Sequence, residues 1–141
     1  DVLDEAISRG KQVSFCYNRY DTDKKLHYLQ MDGKGVYKFA VDAMATAVEK
    51  TLAKAGLTKD DIDLVIPHQA NIRIIQSATK ALGIPQEKVF VNIGEHANTS
   101  SACIPTCLDD LNKEGRIKDG MRICMVGFGA GLTSGAIIFE Q

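Results

Sequence analysis

The sequence has 141 residues, about one domain's worth of chain, and its 45% hydrophobic and 25% charged content is that of an ordinary globular protein, which excludes disorder and collagen-like repeats. Seventeen Lys plus Arg against eighteen Asp plus Glu leave a net charge of −1, so no global field draws in nucleic acid or an anionic membrane. No run approaches the roughly 18 apolar residues of a membrane span, and the start, DVLDE, lacks the basic flank and apolar stretch of a secretory signal; a soluble cytoplasmic protein is expected, with neither nucleic acid nor membrane as partner.

In chain order, residues 1–10 carry helical spacing at Val2, Leu3, Ala6 and Ile7, and residues 13–17 (VSFCY) form a short strand-like run before a polar loop over 18–25. Residues 36–55 place Phe39, Ala40, Ala43, Ala47, Val48, Leu52 and Ala55 at helical spacing, and Gly56 closes that helix. The buried-strand run IDLVIP, residues 62–67, ends in proline. Residues 71–82 then form a second helix with Ile72, Ile75, Ala78, Thr79 and Leu82 on one face, stopped by Gly83.

The next strand is KVFVN, residues 88–92, and the next helix 100–114, with Pro105 tolerated near its start and Gly115 at its end. Two closing strands, 122–126 and 134–140, are joined by the glycine-rich stretch 127–133, too long for a two-residue hairpin. This alternation indicates an α/β protein with a mixed, mostly parallel five-stranded sheet, helices on both faces and a βαβαββ core. The four cysteines, Cys16, Cys103, Cys107 and Cys124, form no CxxC pair and read as reduced, buried thiols. Cys103 and Cys107 share a helix face, but no further ligands stand at zinc-like spacing and no metal is expected.

In an open α/β sheet, ligands bind beyond the carboxyl ends of the strands. Three segments stand there: His68 to Asn71, Gly94 to Ser100, and the glycine stretch after Val126. Neutral His68 has one N–H to donate and Asn98 an amide pair, so together they can hold the oxygen of an enolate or tetrahedral intermediate. A plainer reading has His68 satisfying the strand end and Asn98 capping the following helix. GFGAGL fits neither dinucleotide nor P-loop patterns, and no G-x-S-x-G elbow is present. Arg73 and Lys80, seven apart on one helix face, and Lys38 near the start of the first helix form either a solvated face or a small basic patch for an acidic partner.

Five stretches carry a further signal: MDGKGVYKFAV (31–41), DLVIPHQANIRII (63–75), GEHANTSSACIP (94–105), GRIKDG (115–120) and GFGAGLTSG (127–135). In this order the chain resembles the C-terminal half of β-ketoacyl-acyl-carrier-protein synthase III, the initiating condensing enzyme of bacterial fatty acid synthesis, which has a thiolase-like fold. The likeness runs over about residues 31–140, leaving 1–30 as a poorly matched N-terminal segment and 31–141 as the condensing-enzyme domain. It implies an acyltransferase with a Cys–His–Asn triad, in which His68 and Asn98 stabilise the enolate formed when malonyl-ACP loses carbon dioxide, and that carbanion attacks an acyl-cysteine loaded from a short acyl-CoA.

The resemblance further implies that Gln69, Ala70, Asn71, Ile72 and Arg73 bind the carrier protein and its pantetheine arm, that Lys38 and Lys80 join Arg73 in contacting an acidic carrier, and that Gly129, Gly131 and Leu132 line the pocket. No cofactor is implied, and the full-length enzyme is expected to be a homodimer. The nucleophilic cysteine belongs to the family's N-terminal half; none of the four cysteines here matches it, so the chain alone is expected to be inactive. Ser134 stands where the family often has an aromatic residue. Two other readings remain open: a non-catalytic module that binds acyl carrier protein, and a related condensing enzyme of polyketide or quinolone synthesis.

Overall fold

The computed structural model describes residues 31–141. The strand expected at 13–17, the loop over 18–25, Cys16 and the helical spacing in 1–10 lie outside the described residues. Helix α1, Gly33–Ala55, starts earlier than its apolar spacing indicates, because Asp32 accepts the amides of Lys34 and Gly35 at 3.1 Å and so caps the first turn. Its buried stripe is Ala40, Met44, Val48 and Leu52, one residue per turn; the flanking alanines are half-buried and Ala55 is exposed.

Strand β1, Leu64–Pro67, is buried along its whole length. Helix α2, Ile72–Leu82, follows, with Asn71 accepting the Arg73 amide at 2.8 Å as its cap. Its buried face is Ile74, Ile75, Ala78, Thr79 and Leu82, whereas Ile72, expected inside, is the first residue of the helix and 40% exposed, with Ile74 in the core instead. Gly56 and Gly83 both take φ of +66° and return their amides to the preceding turn, so the two expected glycine stops are left-handed caps.

The strand expected at 88–92 does not form. After a 3₁₀ turn at Gln86–Lys88, Val89 alone bridges Val65 in parallel, and Phe90 donates its amide to Val65 O at 2.9 Å. Continuing that ladder by one step would require the N–H of residue 67 to serve Phe90 O and its carbonyl to receive the Asn92 amide. Residue 67 is proline and has no N–H. The side-chain amide of Gln69 fills the place: Nε2 donates to Phe90 O at 3.3 Å and to Pro67 O at 2.8 Å, and Oε1 accepts from Asn92 N at 3.1 Å. One side chain acts as the missing peptide unit, and the segment stays beside β1 without becoming a strand.

A short helix α3, Ile93–His96, and a 3₁₀ turn, Ser100–Ala102, lead into helix α4, Cys103–Lys113, with Pro105 inside its first turn. Strands β2, Arg122–Gly129, and β3, Thr133–Glu140, reach further into the glycine-rich stretch than expected: Gly127 pairs with Gly135, Phe128 with Ser134 and Gly129 with Thr133. The 127–133 stretch is thus mostly hairpin ladder, turned by residues 130–132. At the tip Gly131 has φ of +139° and no room for a Cβ, which would fall 2.8 Å from Thr133 Cγ2.

Among the described residues the sheet has three strands in the order β1-β2-β3, the first pair parallel and the second antiparallel; of the five strands expected, the one at 13–17 lies outside the described residues and the one at 88–92 does not form. It is an α/β layer with helices on both faces. Val65, Cys124 and Val126 pack with the stripes of α1 and α2; Leu64, Ile66 and Ile123 pack with Phe90, Cys107 and Leu111 on the α4 side. No helix among the described residues is long and apolar enough to cross a membrane.

Replacing Gln69 by leucine keeps the volume and strands the Phe90 carbonyl and the Asn92 amide. At about 1–3 kcal/mol for each buried group left unpaired, the loss should be several kcal/mol, read as a lower midpoint in chemical denaturation.

Candidate functional site

The carboxyl end of β1 delivers His68. Its own amide donates to Val126 O at 2.8 Å, so the parallel ladder with β2 extends one residue past the proline. The half-buried ring is gripped from two sides: Nδ1 lies 2.8 Å from Cys103 Sγ at the first residue of α4, and the Phe128 ring meets the imidazole edge-on, centroids 5.3 Å apart at 70°. Gly127 leaves space here, since a Cβ on it would already touch His68 Cβ and Ile104 Cδ1 at 3.7 Å. Burial lowers the His68 pKa below its ordinary 6.5, and the positive end of α4 works in the same direction. His68 is therefore a neutral imidazole near pH 7, and Nε2 has no partner among the described residues.

Asn98 lies in the exposed loop between α3 and the 3₁₀ turn, and its Oδ1 accepts the Ser100 amide at 3.0 Å. Its neighbours are conformationally costly. Ala97 sits at φ 56°, ψ −162°, a region that glycine normally occupies, and Ser100 also has φ of 56°. With the oxygen engaged, the Asn98 Nδ2 donor has no partner among the described residues. No direct hydrogen bond joins His68 and Asn98. Both are referred to the start of α4, the histidine through Cys103 and the asparagine through the turn that leads into that helix.

His96, which the sequence reading left aside, braces this region: its Nε2 stands 3.0 Å from Asp110 Oδ2, which also accepts from Asn92 Nδ2 at 2.7 Å. The Asn92 amide, and then His96, hold the Asp110 carboxyl below its ordinary pKa. Asn92 Oδ1 receives the Cys107 thiol at 3.1 Å. Burial, with Cys103 and Asp110 nearby, pushes Cys107 up to about 12, and burial pushes Cys124 up to about 11, so both are fully protonated thiols.

Gln69 was expected at a carrier-protein surface, yet it is fully buried with both amide atoms used within the fold. Asn71 spends its side-chain oxygen on capping α2, and Ala70 closes a tight turn on His68 O at 2.9 Å. Ile72, Arg73, Lys38 and Lys80 are exposed. The Tyr37 hydroxyl, 2.8 Å from Ser77 Oγ and 3.5 Å from Arg73 O, sets the start of α1 against the start of α2. Lys38 also borders a shallow depression of about 420 Å³ with Phe39, Asp42, Ala43, Thr46 and Ser134. Gly129, Gly131 and Leu132 belong to the hairpin tip, just beyond Phe128, with Leu132 43% exposed. Sequence reasoning missed Cys103, which it assigned to the core; only its place one helix turn before Cys107 hinted at an inward-facing thiol.

Residues 52–141 match the family described as 3-oxoacyl-(acyl-carrier-protein) synthase III C terminal. The chain is 54% identical over 112 residues to β-ketoacyl-(acyl-carrier-protein) synthase III of Symbiobacterium thermophilum, an alignment covering 79% of this chain and 34% of that one. The crystal structure of 3-oxoacyl-(acyl-carrier-protein) synthase III from Aquifex aeolicus superposes with a TM-score of 0.79 at 45% identity, covering 82% of this chain and 37% of that one. The Pseudomonas aeruginosa synthase III gives 0.82 at 35% identity, over 91% and 38%. The chain spans between 34% and 42% of the length of the first curated relatives it matches.

The lowered His68 pKa has a defined sign in stability. The unfolded chain takes up this proton near 6.5 and the folded chain only at lower pH, so stability falls as pH drops through 6.5. His68→Gln should flatten that part of the curve, measured as denaturation midpoints across mildly acidic pH; an unchanged slope would assign the acid sensitivity elsewhere.

Proposed function

The chain belongs to the 3-oxoacyl-(acyl-carrier-protein) synthase III C-terminal family, and from that premise we propose that it supplies the hydrogen-bonding part of a decarboxylative condensing site. The observation that carries this reading is a pair of side-chain nitrogens left open, His68 Nε2 and Asn98 Nδ2, the second a donor always and the first a donor in its Nε2–H tautomer. Each is held by its other polar atom, on Cys103 Sγ and Ser100 N respectively, and neither has a partner among the described residues.

In the proposed reaction a cysteine of the family's N-terminal half, none of the four in this chain, is first acylated by a short acyl-CoA, releasing CoA. Malonyl-ACP then enters with its thioester carbonyl oxygen facing His68 and Asn98. As the carboxylate leaves as carbon dioxide, the electron pair of the broken C–C bond moves onto the thioester and charge gathers on that oxygen. Donors fixed beforehand stabilise the enolate more than the ground state, which is the differential binding that lowers a barrier. The α-carbon then attacks the acyl-cysteine carbonyl, a C–C bond forms, and the cysteine thiolate departs to leave 3-oxoacyl-ACP. The elevated pKa of Cys107 and Cys124 and their buried positions argue against either as the acylated nucleophile. In this reading the reaction runs in the cytoplasm.

The exposed Lys38, Arg73 and Lys80 would receive an acidic carrier protein, with Ile72 offering an apolar contact beside Arg73. Gln69 has no part in that contact; its role is to hold the His68 turn in place.

The reading is tested in an enzyme that joins this chain to the cysteine-bearing half of a close relative. His68→Ala and Asn98→Ala should each lower malonyl decarboxylation about 100- to 1,000-fold, the usual cost of one oxyanion donor; retained decarboxylation in either variant would defeat the assignment. In the same enzyme Arg73→Glu should raise KM for malonyl-ACP well above any change for malonyl-CoA, and equal changes for the two substrates would remove Arg73 from the docking surface.

A further inference from the structure

A neutral imidazole carries one proton on one of two nitrogens, and the partner of one nitrogen decides the state of the other. For His68 the partner of Nδ1 is a sulfur, Cys103 Sγ at 2.8 Å. That sulfur has a second neighbour, the Gln69 backbone amide, whose N–H can only donate and does so to Sγ across 3.4 Å. The thiol is 2% exposed, so water does not compete for it. Among the described residues the thiol hydrogen has no acceptor other than Nδ1, and with the sulfur already accepting from Gln69, donation to the ring is the arrangement that uses both the hydrogen and a lone pair of the buried thiol.

We infer that Cys103 is a positioning residue for His68: its S–H donates to Nδ1, which fixes the Nε2–H tautomer and turns the outward nitrogen of the ring into a hydrogen-bond donor. A thiol is a weak donor, but it need only separate two tautomers of similar energy. Three constraints make the contact durable. Cys103 is the first residue of α4, the Phe128 ring holds the imidazole edge, and the Gln69 amide is fixed because its side chain is locked between Pro67, Phe90 and Asn92. What the Nε2 proton is used for rests on the oxyanion reading above; where the proton sits does not.

The test is a long-range nitrogen–proton correlation spectrum of the imidazole rings in the ¹⁵N-labelled chain, recorded above the His68 titration, with the His68 signals assigned by their loss in His68→Gln. The expected spectrum has a pyrrole-type Nε2 and a pyridine-type Nδ1. Cys103→Ala should narrow the separation between the two nitrogen shifts as the tautomers mix, and Cys103→Ser, which keeps a donor, should restore it. A pyrrole-type Nδ1 in the unsubstituted chain would overturn the inference without any variant having to fold, as would a Cys103→Ala spectrum matching the original. If the expected tautomer is found and the joined enzyme still fails to decarboxylate malonyl thioesters, the oxyanion reading falls and the role of Cys103 stands.

Discussion

The structure depends on one primary amide standing in for a peptide bond. β1 ends in a proline at the register position where the neighbouring segment needs an N–H, and Gln69 supplies it from two residues further on. Both of its amide atoms are used and no water reaches them, so the substitution is tight and directional. His68 is fixed on both sides by this arrangement, with Pro67 in the sheet and Gln69 in the core. The same amide orients Asn92, whose side chain reaches Cys107 and Asp110 on α4. Strand end, histidine and helix are thereby held as one polar unit between two apolar layers.

That unit also explains how costly backbone conformations persist around Asn98. Non-glycine residues at positive φ cost on the order of 1–3 kcal/mol each, and Ala97 and Ser100 bracket the asparagine with two. The loop is anchored at one end by Asn92 and His96, which share Asp110, and at the other by α4. Over-determined ends let the middle take a shape the sequence alone disfavours. The consequence is an exposed asparagine whose side-chain oxygen is tied to the Ser100 amide on a fixed backbone.

The helices were legible because periodicity and glycine stops are local signals: α1 and α2 fall close to where their apolar spacing and Gly56 and Gly83 put them. The errors came where tertiary partners decided. Ile72 and Ile74 are equally apolar, and spacing alone does not tell that the second packs into the core while the first, at the capped end of the helix, is exposed. KVFVN has strand composition, but its partner strand runs out at a proline. Glycines at 127 and 129 read as loop by propensity, whereas they sit in a ladder, and at Gly127 the missing side chain lets His68 and Ile104 approach. His68 and Asn98 were visible as residue types at strand ends; Cys103 as a partner of the imidazole was not, since thirty-five residues of chain separate them and no pattern spans that gap.

The parallel pairing of β1 with β2 brings together segments fifty-nine residues apart along the chain, as the bond from the Arg122 amide to the Asp63 carboxylate shows. Contacts at that separation are non-local, as are those of α1 with α2, where Tyr37 meets Ser77 forty residues on, whereas the β2–β3 hairpin joins neighbours in the chain. His68 takes its backbone bond from Val126 and its ring packing from Phe128, both on the far side of that closure. The candidate site is therefore assembled by non-local pairing: the imidazole has its place only when the chain between β1 and β2 has folded back to set Val126 and Phe128 beside it.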